Sequence, residues 1–304
     1  DGSSTIDGVR NGQRQGLVDA QVARQLLQVE AAVVDVALWC PCLILKSARL
    51  DGVAAEAPAA FKSAVLESES MDMDVHGLHG GFLRGFRASG GVVFTDVEGK
   101  GLERQGGVWR VNTPAGEFEA PVIVNAAGAW GDVVAARSGV APVGLQPKRR
   151  TVILFDPPVG ADISEWPLVI DADENWYFKP DAGKVLASPA DENPSEPCDA
   201  QPEELDIAIV ADAIERMTSM KVGQISHSWA GLRTFVQDKT PVVGFAPQAP
   251  GFFWLVGQGG YGIETSPAMG VAAASLIVEG RLPAAFPETG VTEADLSPER
   301  CVAR

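Results

Sequence analysis

Long apolar runs, positive charge and cysteine are all scarce in this chain of 304 residues. No run approaches the roughly 18 apolar residues that a membrane-spanning helix requires. The N-terminus also lacks the basic-then-apolar pattern of a secretory signal. Twenty-four basic residues face 40 acidic ones, a net charge of −16. That balance argues against nucleic acid or an anionic membrane as the main partner. It suits solubility and is compatible with a cationic substrate. The four cysteines are Cys40, Cys42, Cys198 and Cys301. Cys40-Pro41-Cys42 has the wrong spacing for a zinc knuckle, so the thiols are expected to be structural or incidental. His76 and His79 stand three apart on a helical pattern with no third ligand in view, so no metal is expected. Walker loops and nucleophile motifs are missing too. Gly8, Gly12 and Gly16 are spaced by four and follow no apolar strand, so they do not form a Gly-x-Gly-x-x-Gly turn. A cytoplasmic location is the default.

The strongest signal present is Gly257-Gln258-Gly259-Gly260-Tyr261-Gly262-Ile263-Glu264-Thr265-Ser266. It lies between an apolar strand, Phe252–Val256, and a small-residue helix from about Pro267 to Glu279. Four glycines in six residues let backbone approach a flat or charged ligand closely. Thr265 or Ser266 can cap the helix, and Pro267 fits its first turn. A helix start facing a ligand suits an anion.

Elsewhere, residues 1–15 are polar and glycine-rich, a loose end or cut edge. Leu17 opens a helical stretch to about Glu30, and residues 31–70 show no consistent period. Asp72 or Asp74 can cap a helix with Val75, Leu78, Phe82, Leu83 and Phe86 on one face, stopped by Gly90 and Gly91. Val92–Val97 reads as a strand. Val108–Thr113 with Gly116–Phe118 reads as a hairpin, and Pro121–Asn125 as a buried strand. A short helix then ends at Gly139. Further strands are expected at Thr151–Phe155, Leu168–Ile170, Trp176–Lys179 and Lys184–Ser188. After a proline-rich loop, Pro202 starts a helix burying Ile207, Val210, Ile214 and Met217. Trp229–Phe235 leads back toward the glycine loop.

Four strings are diagnostic together: Val124-Asn125-Ala126-Ala127-Gly128-Ala129-Trp130, Pro147-Lys148-Arg149-Arg150, Trp229-Ala230-Gly231-Leu232-Arg233-Thr234-Phe235 and Gly257–Ile263. In this order and spacing they resemble the FAD-dependent D-amino acid oxidase, glycine oxidase and sarcosine oxidase superfamily. Leu145–Arg150, Tyr177–Gly183 and Leu296-Ser297-Pro298 are most similar to the bacterial D-arginine dehydrogenases. The likeness runs from Met71 to Arg300, with an echo at Leu17–Leu27. The family's opening strand–Gly-x-Gly-x-x-Gly–helix fingerprint has no counterpart here, and residues 31–70 match no part of the pattern.

The resemblance implies an α/β (α+β) fold: an incomplete FAD-binding Rossmann-like domain interleaved with an antiparallel-sheet substrate domain. The expected division is an atypical segment over 1–70, the FAD-binding remainder over 71–145 and 235–290, the substrate domain over 146–234 and a tail over 291–304. Contacts to FAD are implied for Val97, Ala126, Ala127, Gly128, Trp130, Gly259, Gly260, Tyr261, Gly262, Ile263, Glu264 and Thr265. Glu264 stands where relatives often carry a neutral Gln. It either points inward, disfavouring an anionic reduced flavin, or faces solvent.

Arg233 would bind the substrate carboxylate through its fork; otherwise it pairs with Asp238 at the surface. Tyr177 would help hold that carboxylate, or is a core tyrosine. Arg150 would line the same pocket, or belongs to a solvated basic cluster. Gly260 would leave room for substrate and offer its carbonyl to the amine. His227 could approach the same pocket. No side chain is assigned as a catalytic acid or base.

The implied activity is oxidation of the Cα–N bond of an amino acid, a D-amino acid resembling D-arginine, with hydride transfer to flavin. The electron acceptor is left open. The missing fingerprint sets a second expectation beside it: a non-catalytic remnant or subunit with weak or no FAD binding. A partner supplying the N-terminal portion would reconcile the two, as would a different cover for the cofactor built from residues 1–70.

Overall fold

The computed structural model describes residues 71–301 and the two-residue strand Lys46–Ser47. The helix expected from Leu17, the Cys40-Pro41-Cys42 string and the rest of 1–70 apart from Lys46–Ser47 lie outside the described residues. In chain order the strands are β1 Lys46–Ser47, β2 Met71–Asp72, β3 Gly101–Gln105, β4 Val108–Thr113, β5 Gly116–Ala120, β6 Ile123–Asn125, β7 Gln146–Phe155, β8 Val169–Ile170, β9 Tyr177–Asp181, β10 Lys184–Ser188, β11 Asn193–Pro194, β12 Ile225–Phe235, β13 Val242–Phe245 and β14 Phe252–Val256. The helices are α1 Val75–Ala88, α2 Gly131–Arg137, α3 Glu204–Met217, α4 Ser266–Val278, α5 Ala285–Glu288 and α6 Glu293–Leu296. The result is a mixed α/β fold dominated by antiparallel sheet. It divides into two units. Among the described residues, one comprises 85–146 and 234–301; the other comprises 46–47, 71–84 and 147–233.

The first unit is built around β13, β14 and β6. β14 pairs antiparallel with β13 and parallel with β6, with Trp254 opposite Asn125. Phe252, Phe253, Trp254 and Val256 are all buried because both faces of this sheet are covered. Phe253 packs with Ala268, Met269 and Ala272 of α4. Phe252, Trp254 and Val256 pack on the opposite side with Trp109, Ala135 and Val143. The alternation follows from the two-residue period of a strand. α2 closes on that side because Gly131 has no side chain; a Cβ there would lie 2.6 Å from Leu145 and 3.0 Å from Val256. Residues 291–304, expected as a tail, contribute Val291 and Leu296 to the packing beside α4.

β3, β4 and β5 form a separate antiparallel sheet, with β3 an addition to the expected hairpin. Val92–Val97 is not a strand: Val92, Val93 and Phe94 are exposed, and Asp96 adopts a φ of 59° that breaks extended backbone. The run Pro121–Asn125 shortens to three residues, and Val124 is exposed, so it is buried on one face only. α1 starts as expected, with Asp74 Oδ1 accepting from Gly77 N–H at 2.8 Å. Its apolar face buries Leu78 alone; Val75, Phe82 and Phe86 remain exposed.

In the second unit β7 is central, flanked by β11, β10 and β12, with β9 and β8 continuing beyond β10. α3 covers one face. Val210 and Ile214 pack there on Ile153, Phe155, Phe178, Val185 and Ala187. Trp176 stacks on Phe178 with ring centroids 6.1 Å apart. Tyr177, between those two core aromatics, therefore lies on the face away from α3.

Candidate active site

Two turns in the first unit carry the expected cofactor-contact residues other than Val97, and the sheet brings them to one edge. β6 and β14 run parallel, so Ala126–Trp130 and Gly257–Thr265 both emerge from carboxyl ends of adjacent strands. That is the edge of an open α/β sheet at which ligands dock. Asn125 fixes the first turn. It is 2 % exposed; its Nδ2 donates to Gly131 O at 2.8 Å, and its Oδ1 accepts from Ala127 N–H at 3.3 Å. Gly128 has φ 53° and open space where a side chain would be. Ala126 and Trp130 are exposed.

The glycine loop is pinned at its start. Gly259 N–H donates to Thr234 O at 2.9 Å, and its φ of 57° leaves no space for a side chain beside Phe235. Thr265 does not cap α4 by accepting from the first turn, as expected. Its buried hydroxyl donates backward to Tyr261 O at 2.7 Å, and Ser266 Oγ likewise donates to Ile263 O at 2.7 Å. Both hydroxyls thus bond the loop to itself. Among the described residues, the N–H groups of Gly260, Gly262 and Ile263 are bonded to no backbone carbonyl. Gly260, Tyr261 and Ile263 are exposed, whereas Glu264 is half-buried and engaged within the protein. Exposed backbone donors on a turn with little side-chain cover fit a flat group that carries partial negative charge. Val97 is half-buried in the irregular segment after α1.

In the second unit Arg150 and Tyr177 come together. The Arg150 guanidinium carbon lies 6.0 Å from the Tyr177 ring centroid. Both are half-buried on the face away from α3. Arg233 is on β12, which pairs with β7, the strand carrying Arg150. It is half-buried and engaged within the protein. Asp238, its expected surface partner, accepts from Arg300 Nε at 2.9 Å. The basic triplet is not a uniformly solvated cluster. Lys148 pairs with Glu192 at 2.6 Å. Arg149 is paired with Glu203 and, at 2.8 Å, with the buried Asp206. The hydrogen bonds that Arg149 donates to Glu203 and Asp206 raise its pKa against the opposing cost of burial.

His227 lies 5.5 Å from Trp229 between ring centroids, and both are exposed. His76 and His79 are exposed, and no group of three metal-ligating side chains occurs among the described residues. No described helix is long and apolar enough to cross a membrane. Three carboxylates that shape these regions carry no sequence signal. Asp132 accepts from the N–H groups of Val143, Gly144 and Leu145 at 2.7–3.0 Å. Asp191 and Asp206 both bond Thr151. Isolated Asp residues in loops and helix starts resemble solvated ones until the fold supplies their donors.

Comparison with known proteins fits this geometry. Residues 14–276 match the DAO family model, described as FAD dependent oxidoreductase. The match runs through 31–70, which the diagnostic strings do not reach. The FAD-dependent oxidoreductase domain-containing protein 1 of Xenopus laevis is 31% identical over 182 residues, covering 53% of this chain and 36% of that protein. Glycine oxidase of Bacillus licheniformis is 28% identical over 206 residues, covering 65% of this chain and 52% of the enzyme. The chain thus spans between a third and about half of these relatives. L-proline dehydrogenase from P. horikoshii superposes with a TM-score of 0.66 at 18% identity, covering 84% of this chain and 68% of that one, a likeness of fold. With its strand-end turns and its matched length, the chain belongs to the DAO family of FAD-dependent oxidoreductases.

Proposed function

We propose that the protein oxidises the Cα–N bond of an amino acid, in the manner of the amino acid oxidases and dehydrogenases of its family. One observation carries the substrate class. Of the three consecutive cations Lys148, Arg149 and Arg150, only Arg150 has no carboxylate partner among the described residues. It sits beside Tyr177, the one phenol on that face. A half-buried guanidinium without a counter-ion favours an anionic ligand, and the planar fork of arginine suits a carboxylate. Arg233 would contribute a second guanidinium from the neighbouring strand, and Tyr177 a hydroxyl.

The residues assigned to the cofactor are Val97, Ala126, Ala127, Gly128, Trp130 and Gly259–Thr265. The exposed backbone at Ala126, Gly128 and Gly260, and the N–H groups of Gly260, Gly262 and Ile263 that no backbone carbonyl takes, suit FAD. When bound, FAD supplies the two-electron acceptor for an oxidation that leaves an imino acid, which water converts to a 2-oxo acid and ammonia. The chain's own share is orientation and electrostatics. Gly260, Gly262 and Ile263 present N–H donors, and Gly260 leaves a side-chain-free approach and a carbonyl for the amine. A D-amino acid resembling D-arginine is the proposed substrate, in keeping with the acidic surface, and the cytoplasm the proposed location.

The test is the visible spectrum of the purified chain combined with dye reduction on D-arginine and other D- and L-amino acids. A flavin spectrum that survives gel filtration, with turnover, supports the assignment. A colourless protein that reduces no dye overturns it and leaves a non-catalytic member of the family. Arg233→Ala is expected to raise KM at least about tenfold, a loss near 1.4 kcal/mol, with flavin content unchanged. An unchanged KM removes Arg233 from carboxylate binding.

A further inference from the structure

The partners of β7 along one edge change register part-way. β10 pairs Ala187 with Ile153, and β11 pairs Asn193 with Arg149. Residues 188–192 therefore stand opposite only 150–152, a bulge with two extra residues on its strand. Its backbone is strained: Ala190, which carries a side chain, has φ 51°. Ala190 N–H donates to Ser188 Oγ at 3.2 Å, which closes the bend.

Asp191 is the residue the bend delivers. Its carboxylate accepts from Thr151 N–H at 2.7 Å and from Thr151 Oγ1 at 3.2 Å, satisfying a ladder donor that the bulge leaves without a carbonyl. Its own main-chain carbonyl accepts from Arg150 Nε at 2.9 Å. One residue thus grips two successive positions of β7 whose side chains leave on opposite faces. Charge is sorted in the same place. The carboxylates of Asp191, Glu203 and Asp206 gather around Arg149, with Asp191 4.0 Å from its Nε. Arg150 receives a neutral carbonyl instead. A bond at Nε fixes the guanidinium plane and leaves both terminal nitrogens for a ligand.

We infer that Asp191 is a positioning residue for Arg150: through the 188–192 bulge it aims the guanidinium and keeps its charge uncompensated, so that the fork can take a carboxylate. The ligand part of this inference rests on the function proposed above; the grip on Arg150 does not.

The experiment uses the full chain and reads two quantities. Nuclear magnetic resonance follows exchange protection of the Arg150 Nε–H, assigned with Arg150→Lys, and calorimetry follows binding of benzoate as a carboxylate probe. Asp191→Ala is expected to abolish the protection and weaken benzoate at least about tenfold. Asp191→Asn keeps an acceptor for Thr151 N–H and is expected to retain both. Asp191→Glu, which keeps the negative charge near Arg149 but displaces the acceptor, covers the case in which the alanine variant does not fold; it too should lose protection. Protection and affinity unchanged in folded Asp191→Ala or Asp191→Glu overturn the inference. Loss of protection in a chain whose wild type binds no carboxylate supports the grip on Arg150 and overturns the carboxylate assignment alone.

Discussion

Asn125 stands directly opposite Trp254 in the parallel pairing of β6 with β14, and its side chain ties the strand end to Gly131 at the start of α2. The pairing brings two glycine-containing turns to one edge, and the amide holds the first of them in shape.

Replacing Asn125 by Ala leaves Gly131 O and Ala127 N–H without their partners near a buried strand end. The expected loss is about 1–3 kcal/mol of unfolding free energy, the cost of unsatisfied buried polar groups. Urea melts measure it. Asn125→Asp should not restore stability, because a carboxylate cannot donate to Gly131 O.

Arg149 and Arg150 should separate stability from binding. Arg149→Ala strands the buried Asp206 carboxylate, 4 % exposed, and is expected to cost about 3–5 kcal/mol. Arg150→Ala removes no ion pair found among the described residues, so it should leave the melting curve nearly unchanged while raising KM at least about tenfold. Denaturant melts run beside steady-state kinetics check both. Equal destabilisation by the two would contradict the division of labour.

Gly259 and Gly128 both have positive φ, yet they should tolerate alanine differently. A Cβ at Gly259 would lie 2.5 Å from the Phe235 ring, whereas one at Gly128 meets nothing within 4 Å. Gly128→Ala should cost about 1–2 kcal/mol, the left-handed penalty alone. Gly259→Ala should cost more and should also lower flavin retention in the proposed enzyme. Thermal melts and the absorbance ratio of flavin to protein distinguish the two.

Glu293 links stability to acid. Leu282 N–H donates to its Oε1 at 2.9 Å, and this bond, with the backbone N–H of Glu293 itself, lowers its pKa below the ordinary 4.5. The unfolded chain then binds the proton more readily than the folded one. The contribution is present above pH 4.5 and is lost as pH falls through the lowered folded value. Glu293 is exposed, so the effect should be small. Glu293→Gln should reduce stability at neutral pH and flatten its fall between neutral and acid conditions, measured by urea midpoints.

Segments whose apolar residues are set by one local period were legible in the sequence. α3 and β10 fall where Val210, Ile214, Val185 and Ala187 place them, and β14 runs from Phe252 to Val256 as its apolar run implies. The parallel pairing, the bulge and the roles of three isolated aspartates were not. Val92–Val97 has a strand's composition, but nothing local reveals that Asp96 turns out of extended backbone. Thr265 precedes a helix as a cap should. Whether its hydroxyl accepts from the helix or donates to Tyr261 O depends on the loop before it.

The sequence by itself determined the family strings, the glycine-rich turn, the basic triplet and the alternation that puts Tyr177 and Phe178 on opposite faces of one strand. These are properties of neighbours along the chain, fixed by side-chain period and backbone freedom. Only the tertiary structure decided which of Lys148, Arg149 and Arg150 is left without a carboxylate. Their charges are alike in sequence, and the difference arises because β7 turns Arg149 toward Glu203 and Asp206 while a bulge 40 residues later meets Arg150 with a carbonyl. Electrostatic partners are chosen by distance in space, which local sequence does not encode.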